Sequence, residues 1–261
     1  MSENEALDTT GPANLEAAGP VAADGTPAPP PAPGKMYVFW REWIKPLAVI
    51  GLVMFSFRSA IADWNDVPTG SMKPTILEGD RIFINKVAYD LKFPFTTFRI
   101  AQWDDPKWGD VVVLRSPEDG KRLVKRVIGL PGDVIELRGD RLYRNGRAAI
   151  YSNLDQEVVE QIEAQERAYF LFANEEIEGR QHPVMVLLGS AMHLQPPFGP
   201  FVIPPDHYFM MGDNRNNSRD SRYFGTVHRS EILGRAVGVA LSLDRNNWWK
   251  PRWERFFSKL L

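Results

Sequence analysis

Twelve uncharged residues, Pro46 to Phe57, form the long apolar run of the chain. Arg58 interrupts it, and Ser59 to Ala62 resume the small, apolar character. A helix from Trp43 to Trp64 would be about 33 Å long, close to the hydrocarbon thickness of a bilayer. Pro46 is tolerated near a helix start. Trp40, Trp43 and Trp64 suit the two interfaces, and Arg58 can snorkel towards the second. Lys35, Arg41 and Lys45 put the N-terminal side in the cytoplasm. The pattern therefore predicts one transmembrane helix over residues 41–64. Two other readings stay open. The run is short enough for a buried core helix. Ala60-Ile61-Ala62 is also an A-x-A site, as in a cleaved signal peptide. The acidic leader and Arg58 argue against cleavage.

Beyond residue 78 the pattern changes to short β-branched runs between tight turns. Gly79-Asp80 precedes a strand over Arg81–Val87. Trp108-Gly109-Asp110 precedes the apolar Val111–Leu114. Leu123–Leu130 is closed by Pro131-Gly132-Asp133. Val134–Leu137 and Arg141–Tyr143 pair across Arg138-Gly139-Asp140, and Asn145-Gly146 turns the chain again. This is the signature of an all-β architecture. Over 146–205 the chain becomes more polar, and we read an insertion. Gln156–Arg167 is a short helix or an exposed segment, His182–Leu188 a strand, and Gln195–Pro205 a proline-rich loop. The core resumes at Tyr208–Met211, crosses an Asn-rich loop and ends with Ile232–Leu243. The segment 244–261 mixes aromatics with cations from Trp248 onward. That composition suits a membrane surface, or a segment packed on the β core.

Composition sharpens the ends and excludes some chemistry. Residues 1–34 carry five acids, no Lys or Arg, and a run of Pro and Ala. Nothing there builds a core, so a disordered tail over 1–40 is expected. The 261 residues carry a net charge of −2, which gives no field for nucleic acid. With no cysteine, thiol catalysis, disulfides and Cys-ligated zinc are excluded.

One stretch, Asp66-Val67-Pro68-Thr69-Gly70-Ser71-Met72-Lys73-Pro74-Thr75, lies between the apolar run and the first strand of that pattern. Pro68 favours an extended Val67, and Gly70 permits a sharp turn or a close approach. Ser71 is thereby offered on a bend, although a plain linker would read the same way. A serine needs a base before it attacks. The four histidines, at 182, 193, 207 and 228, lie outside the motif stretches. A lysine is the economical alternative if burial keeps it neutral. Lys125 sits among Leu123, Val124, Val127 and Ile128, although a surface Lys-Arg pair is the plainer reading. The loop Gly212–Arg222 fails as a calcium loop. Counting from Asp213, the third, sixth and twelfth positions are Arg215, Ser218 and Phe224. A loop that hydrogen-bonds itself and supports a strand fits better.

The stretch around Ser71, the run Val124-Lys125-Arg126 with Pro131-Gly132-Asp133, and Gly212-Asp213-Asn214 with Ser218-Arg219-Asp220-Ser221-Arg222 follow an anchor in that order. Together they resemble bacterial type I signal peptidase, over roughly residues 43–145 and 206–243. The resemblance implies a mainly β fold. A single N-terminal transmembrane helix is followed by a signal-peptidase/LexA-like antiparallel β catalytic core, 65–145 and 206–243, with a smaller inserted β-rich domain over 146–205. It implies Ser71 as acylated nucleophile, Lys125 as general base, and an oxyanion site from the Thr69 hydroxyl and the Ser71 N–H. Thr69 stands where serine is common. Ser218 would orient the lysine, with Asp220 and Arg222 in support. Asn216 stands where aspartate is often found. Val67, Pro68, Met72, Ile76, Ile82 and Val124 would line pockets for small side chains at −1 and −3 of a preprotein. No metal or cofactor is implied. The implied partners are preproteins on the Sec or Tat route and membrane phospholipids. The implied site is the bacterial inner membrane, with the N-terminus cytoplasmic and the catalytic domain outside. A LexA-like self-cleaving regulator and an inactive membrane-tethered β module are the alternatives.

Overall fold

The computed structural model describes residues 34–260, apart from 94, 95, 97, 140 and 189–197. Residues 1–33 of the expected tail lie outside the described residues. The chain separates at Gly51/Leu52 into two units.

The first described segment is helical. Helix α1 (Lys35–Phe39) runs into a π-helical turn, Trp40–Ile44, and then into α2 (Lys45–Ala60). Seven large apolar side chains of α2, from Leu47 to Phe55, are exposed. No helix among the described residues is long and apolar enough to cross a membrane. The expected helix over 41–64 is thus corrected at its end. It stops at Ala60, and Ala62–Asp66 form strand β1, with Trp64 opposite Phe83. Asp63, Asn65 and Asp66 are poor residues for a last apolar turn, and pairing with β2 satisfies their backbone instead.

From β1 onward the chain is built on an antiparallel sheet. It contains β1, β2 (Asp80–Asn85), β5 (Val111–Arg115), β6 (Arg122–Gly129), β14 (His207–Met211), β15 (Val227–His228) and β16 (Ile232–Asp244). Their order is β1-β2-β16-β5-β6-β14-β15, and β17 (Lys250–Pro251) pairs with the end of β16. Alternation places Ile82 and Ile84 of β2 inside and Arg81 and Phe83 outside. β5 lies centrally, and its Val111 to Leu114 are all buried. A hairpin of β3 (Asp90–Lys92) and β4 (Arg99–Gln102) projects beside it.

Two smaller sheets stand apart. β10 (Ile150–Asn153), β11 (Phe170–Ile177) and β12 (Arg180–Leu187) make one. The other runs β13-β7-β8-β9, from Phe198–Val202, Val134–Arg138, Arg141–Arg144 and Arg147–Ala148. Two expectations change here. Phe198–Val202 form a strand where a loop over Gln195–Pro205 was expected, because Phe201 and Val202 pair with Ile135 and Val134. The hairpin over 134–144 pairs with that insertion strand and not with the main sheet. The segment 156–167 forms two short helices, α3 (Gln156–Glu160) and α4 (Ala164–Arg167).

The C-terminal segment packs back on the sheet. Val239 N donates to Ser258 O at 2.9 Å, and Leu260 joins the cluster of Val67, Met72, Ile76, Ile82 and Ile84. Three arginines tie this segment to the loop between β1 and β2. Arg245 pairs with Asp66. Arg252 donates to Glu78 O at 3.0 Å. Arg255 grips buried Asp80 at 2.6 Å and the Thr75 carbonyl at 3.1 Å. On the outside, Trp248, Trp249, Trp253 and Phe257 are exposed.

Candidate active site

Ser71 and Lys125 are 54 residues apart in sequence, yet Lys125 Nζ lies 2.7 Å from Ser71 Oγ. Ser71 sits in a short 3-10 turn, Gly70–Met72, that follows the extended Thr69. Lys125 comes from β6, opposite Val112 of β5. Its side chain is 2% exposed. Burial pushes its pKa down to about 8, Arg222 adds to the depression, and Asp220 and Asp213 oppose it. At pH 7 roughly a tenth of such lysines are neutral, against below about one in a thousand at the ordinary value. A hydroxyl hydrogen-bonded to an amine of this kind can pass its proton on.

The loop Gly212–Arg222 fixes the serine turn from behind. Asn214 N donates to Ser71 O at 3.1 Å, and Asn214 Nδ2 donates to Gly70 O at 3.2 Å. The approach is so close that a Cβ at Gly212 would overlap both the Ser71 carbonyl and the Ser218 hydroxyl, so only glycine fits. Asp220 accepts from Gly212 N at 3.0 Å and from Arg222 through two bonds of 2.8 Å. Burial alone would raise the Asp220 pKa, but the Arg222 guanidinium holds it below the usual value.

Arg126, next to Lys125, points to the other side of the strand. It is buried and clasps Asp213 with Nε and Nη2, each at 2.8 Å. Thr75 donates a hydroxyl bond to the same carboxylate. The carboxylate that a calcium loop would need is therefore taken by a guanidinium. Asp213 also reaches the inserted segment, since Met185 N donates to its carbonyl at 2.9 Å.

The remaining expected residues fall as follows. Val67, Met72, Ile76, Ile82 and Val124 join one apolar cluster, in which the first four are buried and Val124 partly so. Pro68 is outside it and lines a cavity of about 290 Å³ with Lys73, Glu78, Gln161, Glu163 and Arg252. Lys73 there bonds Glu166 at 2.8 Å and Glu78 at 2.9 Å. The Thr69 side chain makes no capping bond to the turn and stays exposed. Ser218 is buried beside the Ser71 backbone, and its hydroxyl helps to hold the Asp220 pKa below the usual value. The bond from Ser218 to Lys125 that the resemblance implies is not among the contacts of the described residues. Asn216 accepts from Leu187 N at 2.8 Å, a neutral bond to the inserted segment.

Sequence reading gave no role to Asn214, Arg126, Asp213 or Arg255. The first three stand inside the quoted motifs, where a polar residue at a buried position was the available signal. Arg255 had none.

Residues 40–241 match the family described as signal peptidase, peptidase S26. Signal peptidase I of Pseudomonas fluorescens is 33% identical over 223 residues, covering 81% of this chain and 74% of that protein. Signal peptidase I P of Bacillus subtilis subsp. natto is 33% identical over 205 residues, covering 78% and 90%. Among solved structures, a signal peptidase I from Enterococcus faecalis V583 is 28% identical with a TM-score of 0.31, over 51% of this chain and 97% of that one.

Proposed function

The chain belongs to the signal peptidase family, peptidase S26, and from that premise we propose that it removes signal peptides from exported proteins with Ser71 as nucleophile and Lys125 as general base. The observation that carries this reading is the 2.7 Å contact between a buried amine of depressed pKa and a serine hydroxyl on a turn.

The reaction runs in two halves. Ser71 Oγ attacks the carbonyl carbon of the −1 residue, and its proton passes to neutral Lys125 Nζ. The oxyanion forms next to the Ser71 N–H and the Thr69 hydroxyl. The peptide C–N bond breaks, and the Lys125 ammonium gives its proton to the leaving amine. Water then attacks the ester, again losing a proton to Lys125, and frees Ser71. The Ser218 hydroxyl would turn to hold the ammonium as it forms, and Asp220–Arg222 keep that loop in place.

The substrate lies extended, as in strand addition. β1 pairs only with β2, and Arg122 to Lys125 of β6 have β5 on one side and no strand on the other among the described residues. A peptide between these two edges would turn small −1 and −3 side chains towards Val67, Met72, Ile76, Ile82 and Val124, with Pro68 at the rim.

We place the protein at the bacterial inner membrane. Helix α2, apolar on every side from Leu47 to Phe55, belongs with an anchor. Lys35, Arg41 and Lys45 set its N-terminal side in the cytoplasm. The catalytic body then lies outside, where preproteins arrive by the Sec or Tat route. Exposed Trp248, Trp249, Trp253 and Phe257, among Lys250 and Arg252, would rest on phospholipid.

The direct test incubates detergent-solubilised protein with a preprotein. Wild type should release a mature chain that starts after a small residue, and Ser71→Ala should release none. Equal cleavage by the two proteins would remove Ser71 from the reaction.

Thr69 makes a separate expectation. Its hydroxyl meets charge that exists only in the tetrahedral intermediate. Thr69→Val keeps the shape, so kcat should fall about 10²-fold or more with KM little changed, while Thr69→Ser stays active. A loss confined to KM would reassign Thr69 to loop structure.

A further inference from the structure

The hairpin of β3 and β4 is built inside out. Asp90 pairs with Gln102 and Lys92 with Arg99, so these four side chains share one face. Their contacts agree, since Arg99 Nε lies 3.2 Å from Asp90 Oδ2 and Arg99 Nη1 donates to Gln102 Oε1 at 3.0 Å. This polar face is turned to the body of the protein. Asp90 is buried and accepts from buried Arg229 at 3.1 Å, and Lys92 Nζ donates to Ile232 O at 3.0 Å. The other face looks outward. Leu91 stands opposite Ala101 on it, and Phe93 N donates to Phe98 O at 2.8 Å, which sets the two phenylalanines side by side. Phe93 is 56% exposed and Phe98 70%, and Ile100 at the bulge and Trp103 at the foot are exposed as well. A hairpin made for water does the reverse, with its phenylalanines against the core and its charges outside.

The place of the hairpin in the fold says what covers that face. The start of β1, the end of β2 and the start of β16 lie at one end of the main sheet, because Ala62 pairs with Asn85 and Asn85 with Arg235. Helix α2 ends at Ala60 and delivers the chain to this end, where Lys86 N donates to Ile61 O at 2.9 Å. The hairpin is rooted at the same spot. Lys86 and Asp90 are at most about 14 Å apart along the chain, and the bond from Lys92 reaches Ile232, the first residue of β16. With α2 as the membrane anchor, the hairpin stands where the bilayer begins. We infer that its outward face is a second lipid contact, in which Phe93 and Phe98, flanked by Ile100 and Trp103, enter the boundary between headgroups and acyl chains. The inference rests on reading α2 as an anchor.

The chemistry of this contact is apolar. Lys92 and Arg99 are both committed to Asp90 on the inward face, so the outward face offers no cation to an anionic headgroup. Neutral lipid should therefore suffice, and salt should not loosen the contact, unlike one held by charge.

The chain has no cysteine, so one introduced thiol carries one label. Full-length protein is reconstituted in phosphatidylcholine vesicles with a nitroxide at Phe93→Cys, at Phe98→Cys, or at Arg147→Cys on β9, whose side chain is exposed. A fourth label at Val53→Cys, in α2, reports on the anchor by itself. Power saturation compares collisions with oxygen, which concentrates in acyl chains, and with a water-soluble nickel chelate. Oxygen should dominate at 53, 93 and 98 and nickel at 147, in low and high salt alike. Nickel dominance at both 93 and 98, with oxygen dominant at 53, overturns this inference alone. So does protection of 93 and 98 from both reagents, which would mean that a second copy or another protein covers the face. Nickel dominance at 53 removes the anchor reading and the inference with it.

Discussion

Replacing Lys125 with methionine is expected to lower kcat for preprotein cleavage by about 10²- to 10⁴-fold, the usual worth of a positioned general base. Methionine keeps the length and apolar stem, so the fold around Val112 and Val124 should survive. Arginine in the same place should fail equally, because a guanidinium stays protonated and cannot accept the serine proton. Wild type should carry the matching pH signature. In the proposed mechanism only neutral Lys125 can act as base, and its pKa is brought down to about 8 by burial first, with Asp220 and Asp213 pulling the other way. The value of kcat/KM should therefore rise about tenfold per pH unit below 8 and level off above it. Near wild-type turnover by Lys125→Met, or a flat profile between pH 6 and 8, would remove Lys125 from catalysis.

The second large effect is on stability. Asp213→Asn should cost about 3–5 kcal/mol, because it leaves the buried Arg126 guanidinium without its carboxylate. Both side chains of the pair are 1% exposed, so water cannot take over. The Thr75 and Gly109 oxygens that also accept from Arg126 are neutral and replace little of the charge. Removing both charges should behave differently. Arg126→Met with Asp213→Leu should recover a large part of the loss, since an apolar pair of similar volume escapes the desolvation cost. Denaturant unfolding followed by tryptophan fluorescence measures both. A single substitution that costs under about 1 kcal/mol would mean that the pair is as weak as a surface one.

The central strands were legible because their residues are apolar in their own right. Val111 to Leu114 and Val127 to Ile128 are buried whatever surrounds them. The serine turn was legible too, since Pro68, Gly70 and Ser71 are adjacent in sequence. What stayed hidden depends on partners far along the chain. Ala62–Asp66 is polar enough to read as the end of a helix or a loop, and only its pairing with Asp80–Asn85 makes it a strand. Phe198–Val202 contains Pro200 and reads as a loop until Val134 and Ile135 meet it. The bond between Asp80 and Arg255 joins residues 175 positions apart, and no local pattern announces it. The site followed the same division. Ser71 and Lys125 stood in recognisable stretches, while Asn214, which holds the Ser71 carbonyl, was one polar residue among several in its loop.

The arginines that tie the C-terminal segment to the loop carrying Ser71 also set an order of events. Everything in the dyad is synthesised by residue 125, but Asp66, Asp80 and the Glu78 carbonyl wait for partners at 245, 255 and 252. A nascent chain halted after Asp244 would hold Ser71, Lys125, the paired strands β1 and β2 and the Asn214 bonds to the serine turn, but none of the three arginine ties. The serine loop therefore receives its last ties only when the end of the chain is made, and a chain that stops at Asp244 is expected to hold Ser71 less firmly than the full-length protein.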